Sequence, residues 1–394
     1  MNKPFLKAVP IIEKIEKAGH EAYFVGGAVR DFLLGKEIDD VDIATSALPD
    51  EIQSIFPKTV DVGIEHGTVL IIYEHESYEV TTFRTESEYE NYRKPKEVHF
   101  VRSLLEDLKR RDFTMNAMAM TKNGEIIDPF HGQDAIKNKI IKTVGLPEER
   151  FREDALRMMR AIRFVSQLDF QLDEKTYESI CQNQHLLQHI SVERILVEFE
   201  KLLQGKSRKK ALKLIAESDL YQWLPGLKEK KASLYSISQM KHIENLNLDE
   251  MWAILMIVME VSNIPPFLKM WRMPGKKIKK IQSICKAYEM RKKERWSKKT
   301  LYQTGLSIAL MAEHIFSIFE QKDPTNELNK ITFIYHSLPI KHRSELSVNG
   351  NDLIQWENKK SGPWVKQRLE LIEEAVINGI VQNEKEQIRK WLYS

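Results

Sequence analysis

The sequence predicts an α+β head followed by an all-α remainder. Over the first ~130 residues, short runs with strand periodicity alternate with short helical ones; beyond about residue 135 the strand signals fade and helical patterns run to the end. Two turn-rich clusters, Asp128-Pro129-Phe130-His131-Gly132 and Gly145-Leu146-Pro147, stand where the character changes.

The elements follow in order. Val9, Ile12 and Ile15 recur with helical spacing within residues 1–20, and Ala22 to Val25 reads as a short strand broken by Gly26-Gly27. A helix is expected over 28–34, stopped by Gly35, then strands over 41–43, 68–73 and 78–84, the last alternating β-branched and aromatic residues. Helical patterns dominate afterwards, as in 153–164, 193–203, 209–216, 252–261 and 366–377, with breaks at Pro265-Pro266 and Pro274-Gly275. No repeat at solenoid spacing is present.

Composition narrows the function classes. With 394 residues, 42% apolar and 30% charged, the chain can fill several cores and is not a disordered polymer. The amino-terminal stretch is broken by charges and does not read as a signal peptide, and the longest apolar run, Met251 to Met259, is too short to span a bilayer, so no membrane is expected and the cytoplasm is the expected location. Cys181 and Cys285 are too few and too far apart for a disulfide framework or zinc site and read as buried thiols. The net charge is +3, but 269–299 holds 13 Lys or Arg against Glu289 and Glu294, a local +11 that leaves −8 elsewhere. A basic block in a mildly acidic chain suggests a polyanionic partner; a solvated helical face is the plain alternative.

The chemistry centres on Asp40 and Asp42. Residues i and i+2 of a strand share a face, so the carboxylates converge, and converging carboxylates call for a cation. Mg²⁺ suits them, because it takes one or two carboxylates and completes its shell with substrate phosphates. A lone D-x-D is a weak signal, but Gly26-Gly27 lies just upstream between strand and helix, with Arg30 in the helix's first turn. Glycines admit a phosphate close to the backbone, a helix N-terminus favours anions and arginine adds a forked donor. Glu79, on a nearby predicted strand, is a candidate third catalytic carboxylate or else an edge-strand surface residue.

These residues carry a resemblance. Phe24-Val25-Gly26-Gly27-Ala28-Val29-Arg30-Asp31, followed by Asp40-Val41-Asp42, resembles the signature of the polymerase-β superfamily, in particular the class II tRNA nucleotidyltransferase and bacterial poly(A) polymerase family. Further stretches resemble its later motifs in order: Arg110 to Met118, Asp128 to Gly132, Glu153 to Arg157 continuing to Arg163, and Ser191 to Arg194. The resemblance covers residues 24 to about 200 and implies a polymerase-β-like head with a small mixed sheet, followed by helical neck, body and tail. The corresponding divisions are 1–140, 141–205, 206–270 and 271–394. It implies addition of CMP, CMP and AMP from CTP and ATP to the 3′ end of tRNA, with the tail and body holding the acceptor stem and elbow. A homodimer is allowed for.

The stretch 153–164 supplies a physical reason for base choice. Asp154, Arg157, Arg160 and Arg163 recur every three residues along one stripe, with Ala155, Leu156, Met159 and Ile162 opposite. Cytosine and adenine both show an amino donor beside a ring-nitrogen acceptor, which an Asp and an Arg complement; guanine and uracil show the reverse. The resemblance assigns this reading to Asp154 and Arg157, while Arg160 and Arg163 steady it or contact the triphosphate and Arg111 contacts the nucleotide or its phosphates. The polar stretch Glu86 to Pro95, with Tyr89 and Tyr92, suits a loop over the site, and a loop here in the resembling family serves the switch from C to A. The family also leaves open an A-adding, a CC-adding or a poly(A)-synthesising activity, and a catalytically silent RNA-binding protein is the rival from another class. Trp271, Tyr288 and Trp296, within or beside the basic block, read as core more readily than as base-stacking platforms.

Overall fold

The computed structural model describes residues 1–86, 89–90, 94–95 and 98–394. The chain forms two compact units, Met1–Ser238 and Gln239–Ser394.

In the first unit, α1 (Lys3–Lys17) carries Pro4 in its first turn, where a missing N–H costs nothing, and buries Phe5, Ala8, Ile11, Ile12 and Ile15. It is followed by β1 (Ala22–Val25), α2 (Gly27–Leu33), β2 (Asp42–Thr45), α3 (Pro49–Ile55), β3 (Thr59–Gly63), β4 (Thr68–Tyr73) and β5 (Glu76–Thr82). Short strands β6 (Arg84–Glu86), β7 (Tyr89–Glu90), β8 (Lys94–Pro95) and β9 (Val98–Phe100) lead to α4 (Leu104–Lys109), then β10 (Ala119–Met120), β11 (Ile126–Ile127) and α5 (Gly132–Lys137). The main sheet has seven strands in the order β11-β10-β1-β2-β5-β4-β3. It is mixed, because β2 runs parallel to β5 while the other neighbours are antiparallel.

The two faces of this sheet have different fates. On one, Phe24, Ile43, Val69, Ile71, Val80 and Met120 form a core with α1 and with Ile52 and Phe56 of the α3 region; Phe5 meets Phe24 edge-on at 4.9 Å. On the other, Val25, Ala44 and Ala119 are covered by Phe83 and by Leu104 and Leu108 of α4. That cover stops at β2, and the far strands leave Val60, Ile72 and Glu79 exposed.

The strands over 68–73 and near 78–84 appear where the periodicity places them, while β3 and the two-residue strands carry too little pattern to be read. The helix expected over 153–164 is not continuous: α6 (Pro147–Glu153) ends before Asp154, and α7 (Leu156–Leu168) begins after Ala155. Asp154 itself is extended, at φ −136 and ψ 104. Between α5 and α6, β12 (Ile140–Ile141) pairs in parallel with β13 (Gln171–Leu172). Next come α8 (Glu174–Asn183), α9 (Val192–Gln204), α10 (Arg208–Glu217) and α11 (Lys231–Gln239), which ends at the unit boundary. Cys181 and Cys285 are free; Cys285 is buried, whereas Cys181 is only half-buried, short of the sequence expectation.

The second unit is helical: α12 (Leu248–Val258), α13 (Ile264–Met270), α14 (Gly275–Lys293), α15 (Lys298–Thr304), α16 (Leu306–Glu320), α17 (Thr325–His336), α18 (Gly350–Glu357), α19 (Pro363–Ile377) and α20 (Lys385–Tyr393). Trp252 and Trp271 pack edge-on at 5.2 Å. The basic helix α14 turns Ile278, Ile281, Ile284 and Tyr288 inward, so Trp271 and Tyr288 are core residues. Trp296 donates to the buried Glu313 at 2.7 Å, beside Arg291. Among the described residues, no helix is long and apolar enough to cross a membrane.

Candidate active site

The site grows from the end of β1. Gly26 has φ +72, where a side chain is strained, and a Cβ there would stand 3.2 Å from Arg111 Nη1 and 3.6 Å from Asp42 Oδ2. The glycine thus leaves a cradle between an arginine and a carboxylate. Asp42 opens β2 opposite Val25, and the parallel register of Ile43 with Val80 sets Asp42 beside Glu79. Asp40 precedes the strand, so the chain's entry into β2, and not strand alternation, brings it near Asp42.

The electrostatics of Asp42 show what the cradle lacks. Burial pushes its proton affinity up, the neighbouring Glu79 adds to this, Arg111 offsets part, and Asp40 raises it again. The site therefore holds more negative charge than its arginine neutralises. Hard oxygen donors in that state fit a divalent cation, which Asp40 and Asp42 would hold.

The arginines stand behind and beside this centre, each tied to an acid. Arg30 donates to both oxygens of Asp31, at 3.0 and 2.7 Å, and to Asn116 Oδ1 at 2.8 Å. It is the fourth residue of the seven-residue α2, closing the first turn as the sequence suggested, with its N–H bonded to the Gly26 carbonyl at 3.3 Å. Arg111 Nη2 donates to Asp107 at 3.1 Å, and its Nε is buried with no hydrogen-bond partner among the described residues. The fully buried Asp107 also accepts from Arg110 Nε at 3.0 Å and Nη2 at 2.7 Å.

Asp112 is a second buried acid that gathers several donors. It accepts from Arg160 Nε at 2.8 Å and Nη2 at 2.5 Å, from Asn116 Nδ2 at 3.0 Å and from its neighbour Phe113 N at 2.8 Å. Burial alone would raise its proton affinity, but the Arg160 charge and these donors hold its carboxyl down at about 2. Arg163 is buried against Glu198 at 2.7 Å, and burial brings its guanidinium down to about 10. It stacks on the Phe164 ring at 4.0 Å, with Arg30 and Arg160 at 5.2 and 5.7 Å from the same ring.

The base-reading candidates sit on the break between α6 and α7. Asp154 accepts from Leu156 N at 3.1 Å and from Arg194 Nη2 at 2.8 Å. Arg157 donates to Glu153 at 2.5 Å and to the carbonyls of Arg110 at 3.0 Å and Arg150 at 3.3 Å. The break corrects the idea of one uniform stripe: Asp154 lies off the helix that carries Arg157, Arg160 and Arg163. The third motif is structural, with Asp128 accepting from Gly132 N at 2.6 Å and Gln133 N at 2.9 Å. A Cβ at Gly132 would fall 2.4 Å from the Thr114 carbonyl, so α5 can pack on the second motif only through a glycine.

The sequence reading placed Asp112, Asn116 and Arg194 within family motifs without giving them a role, and did not single out Asp107 or Glu198. Asp107 precedes Arg110 and Arg111 by three and four residues, a spacing that marks neighbours near a helix end; the long-range partners Arg194 and Glu198 carry no such local signal. The stretch Glu86 to Pro95, expected to overlie the site, lies largely outside the described residues.

A mixed sheet presenting Asp42 beside a glycine cradle, with arginines ranked behind it, defines a nucleotidyltransferase of the polymerase-β type. The poly(A) polymerase head domain family matches residues 22–142, the RNA and SrmB-binding site of polymerase A matches 169–231, and the tRNA nucleotidyltransferase domain 2 family matches 244–392. The CCA-adding enzyme of Geobacillus sp. (strain WCH70) is 50% identical over 393 residues, covering 100% of this chain and 97% of the relative. That of Bacillus cereus (strain B4264) is 51% identical over 390 residues, 98% of each. The crystal structure of the Bacillus stearothermophilus CCA-adding enzyme in complex with CTP superposes with a TM-score of 0.94 at 48% identity, over 100% of this chain and 98% of that one. The chain belongs to the CCA-adding enzyme family.

Two tests follow from the site's charges. Asp42→Asn should raise the melting temperature of the metal-free protein in differential scanning fluorimetry, since it removes a charge that its surroundings disfavour; added divalent cation should raise that of the wild type and leave the variant's unchanged. Asp112→Ala should cost about 1–3 kcal/mol in urea unfolding at pH 7, because it removes the acceptor shared by Arg160 and Asn116. Asp112 has a lowered folded-state pKa, so its contribution is present above its ordinary value of about 4 and is lost as pH falls toward about 2. The gap between wild type and variant should narrow over that window.

Proposed function

We propose that this chain adds CMP, CMP and AMP from CTP and ATP to the 3′ end of tRNA without a nucleic-acid template, making or repairing the CCA terminus and releasing pyrophosphate. The observation that carries the reading is the match of the chain along its whole length to CCA-adding enzymes, one of them solved with CTP. The CTP bound in the Bacillus stearothermophilus structure fits one of the two nucleotides assigned here.

In this reading Asp40 and Asp42 hold Mg²⁺, with Glu79 as the adjoining third carboxylate. When bound, the cation supplies charge neutralisation and Lewis acidity at the α-phosphate and the 3′-hydroxyl. Gly26 and Gly27 leave room for the triphosphate, and Arg30 and Arg111 bind its oxygens. Arg160 faces the nucleotide while anchored on Asp112; Arg163 stays behind it as a support. Asp154 accepts from the exocyclic amino group of cytosine or adenine and Arg157 donates to the adjoining ring nitrogen. Guanine or uracil would leave both groups facing like partners, at about 1–3 kcal/mol for each unsatisfied group. Residues 1–140 act as catalytic head, 141–205 as neck, 206–270 as body and 271–394 as tail. The basic stretch 269–299 contacts RNA phosphates, and the cytoplasm is the setting.

The direct test is incubation with Mg²⁺, all four NTPs and a tRNA transcript lacking its last three nucleotides, followed by sequencing of product ends. Products should end in CCA and stop there, and Asp40→Ala or Asp42→Ala should give none while tRNA binding survives. Long A tails, or A added only to ends already carrying CC, would overturn the proposed specificity. Arg194→Ala frees the Asp154 carboxylate to turn, so discrimination against UTP and GTP should fall by about tenfold, corresponding to roughly 1.4 kcal/mol, in single-nucleotide incorporation assays.

A further inference from the structure

Among the described residues, the seven-stranded sheet is left uncovered on one side of Asp42 and Glu79, and that part is apolar. β4 pairs with β5 so that Leu70 stands beside Glu79, and with β3 so that Val60 stands beside Leu70. These residues alternate with Val69 and Ile71, which point into the core, so Val60, Leu70, Ile72, Glu79 and Asp42 share the outer face. Val60 and Ile72 are 44% and 42% exposed, on the side of Asp42 that α4 does not cover. Lys58, whose carbonyl accepts from Ile72 N, is exposed at the far end of the same shelf. Outward-facing strand positions are ordinarily polar, so aliphatic side chains beside a catalytic centre mark a contact surface.

The order of the strands says what lies there. Arg111 and the Gly26 cradle flank Asp42 from the β1 side, and Glu79 flanks it from the β5 side. The triphosphate is drawn to the arginines, on the β1 side. The attacking hydroxyl must enter from the side away from the leaving pyrophosphate, because displacement at phosphorus is in line. That side is the shelf over β5, β4 and β3.

We propose that Val60, Leu70 and Ile72 form the seat for the unpaired 3′-terminal nucleotides of the acceptor strand, their bases lying on the aliphatic side chains and Lys58 meeting a backbone phosphate. Base faces are apolar and alike among the nucleotides, so an aliphatic shelf accepts an end whose terminal base changes after each addition. The acidic Glu79 at its inner edge keeps phosphates off the shelf's catalytic end, leaving the sugar hydroxyl to approach Asp42. This inference rests on the tRNA reading above and adds to it the location and chemistry of the primer site.

The test uses the full chain with Val60→Thr and Ile72→Thr, singly and together; threonine keeps β-branching and replaces a methyl group by a hydroxyl. The expected result is a several-fold rise in KM for the transcript lacking CCA, larger in the double variant, with KM for CTP and the melting temperature unchanged. Val60→Ile should retain the wild-type KM for tRNA. A transcript carrying 4-thiouridine at its 3′ end should photo-crosslink to the peptide spanning residues 58–73. Unchanged KM for tRNA in the double variant, or a crosslink confined to other segments, would overturn the seat while wild-type incorporation leaves the tRNA reading standing. Absence of wild-type incorporation into any such transcript is the separate result that removes the tRNA reading.

Discussion

Packing several guanidinium groups around one small cleft is the constraint on which this site depends. Arg30, Arg111, Arg157, Arg160 and Arg163 would repel one another in a low-dielectric setting unless each had a counter-charge, and the fold supplies Asp31, Asp107, Glu153, Asp112 and Glu198 in turn. These acids sit beside the arginines and hold each guanidinium in a fixed place. Phe164 fills the space among Arg30, Arg160 and Arg163 with a π-face that tolerates cations on either side. Breaking one such pair leaves a buried charge unmatched, so the rows of arginine and acid hold the helices around the cleft in register as well as neutralising them.

The balance is reversed at Asp42. Burial and the neighbouring Glu79 outweigh Arg111, so the centre carries surplus negative charge, whereas each of the surrounding arginines is matched by an acid of its own. On the proposed reading, a metal–triphosphate complex would offset the surplus at Asp42, its cation meeting the carboxylates and its phosphates lying toward Arg111. Gly26 makes this possible by keeping the space between Asp42 and Arg111 free of a side chain.

The parts of this arrangement legible in the sequence are those written in short-range pattern. Gly26-Gly27, Asp42, the strand over 68–73 and the runs of arginine in the second and fourth motifs all announce themselves within a few residues. What escaped depends on distance along the chain or on a local departure from periodicity. Arg194 meets Asp154 across 40 residues and Glu198 meets Arg163 across a helix pair, and neither sequence neighbourhood hints at the other. The break at Asp154 was hidden because a helical period of three to four residues persists through 153–164 although the backbone leaves helical geometry at that one residue. Asp40 shows the same limit in reverse: the D-x-D spacing suggested strand alternation, yet the strand starts only at Asp42.

That break bears directly on specificity. Had Asp154 been inside a continuous helix, its carboxylate would project from the same rod as Arg157 and be free to swing with its rotamer. In its extended position at the helix start it is held by Leu156 N and by Arg194, while Arg157 is held by Glu153 and two backbone carbonyls. Reading groups fixed in this way cannot turn to accommodate a base with the opposite pattern of donors and acceptors without surrendering bonds they already make. On the proposed reading, cytosine and adenine would gain from the groups as they stand, whereas guanine and uracil would have to break the supporting pairs or remain unmatched. Discrimination would then come from the stiffness of the supporting bonds more than from the strength of the contacts with the base, and one rigid pair would serve two bases of different size because both present the same two atoms at the pairing edge.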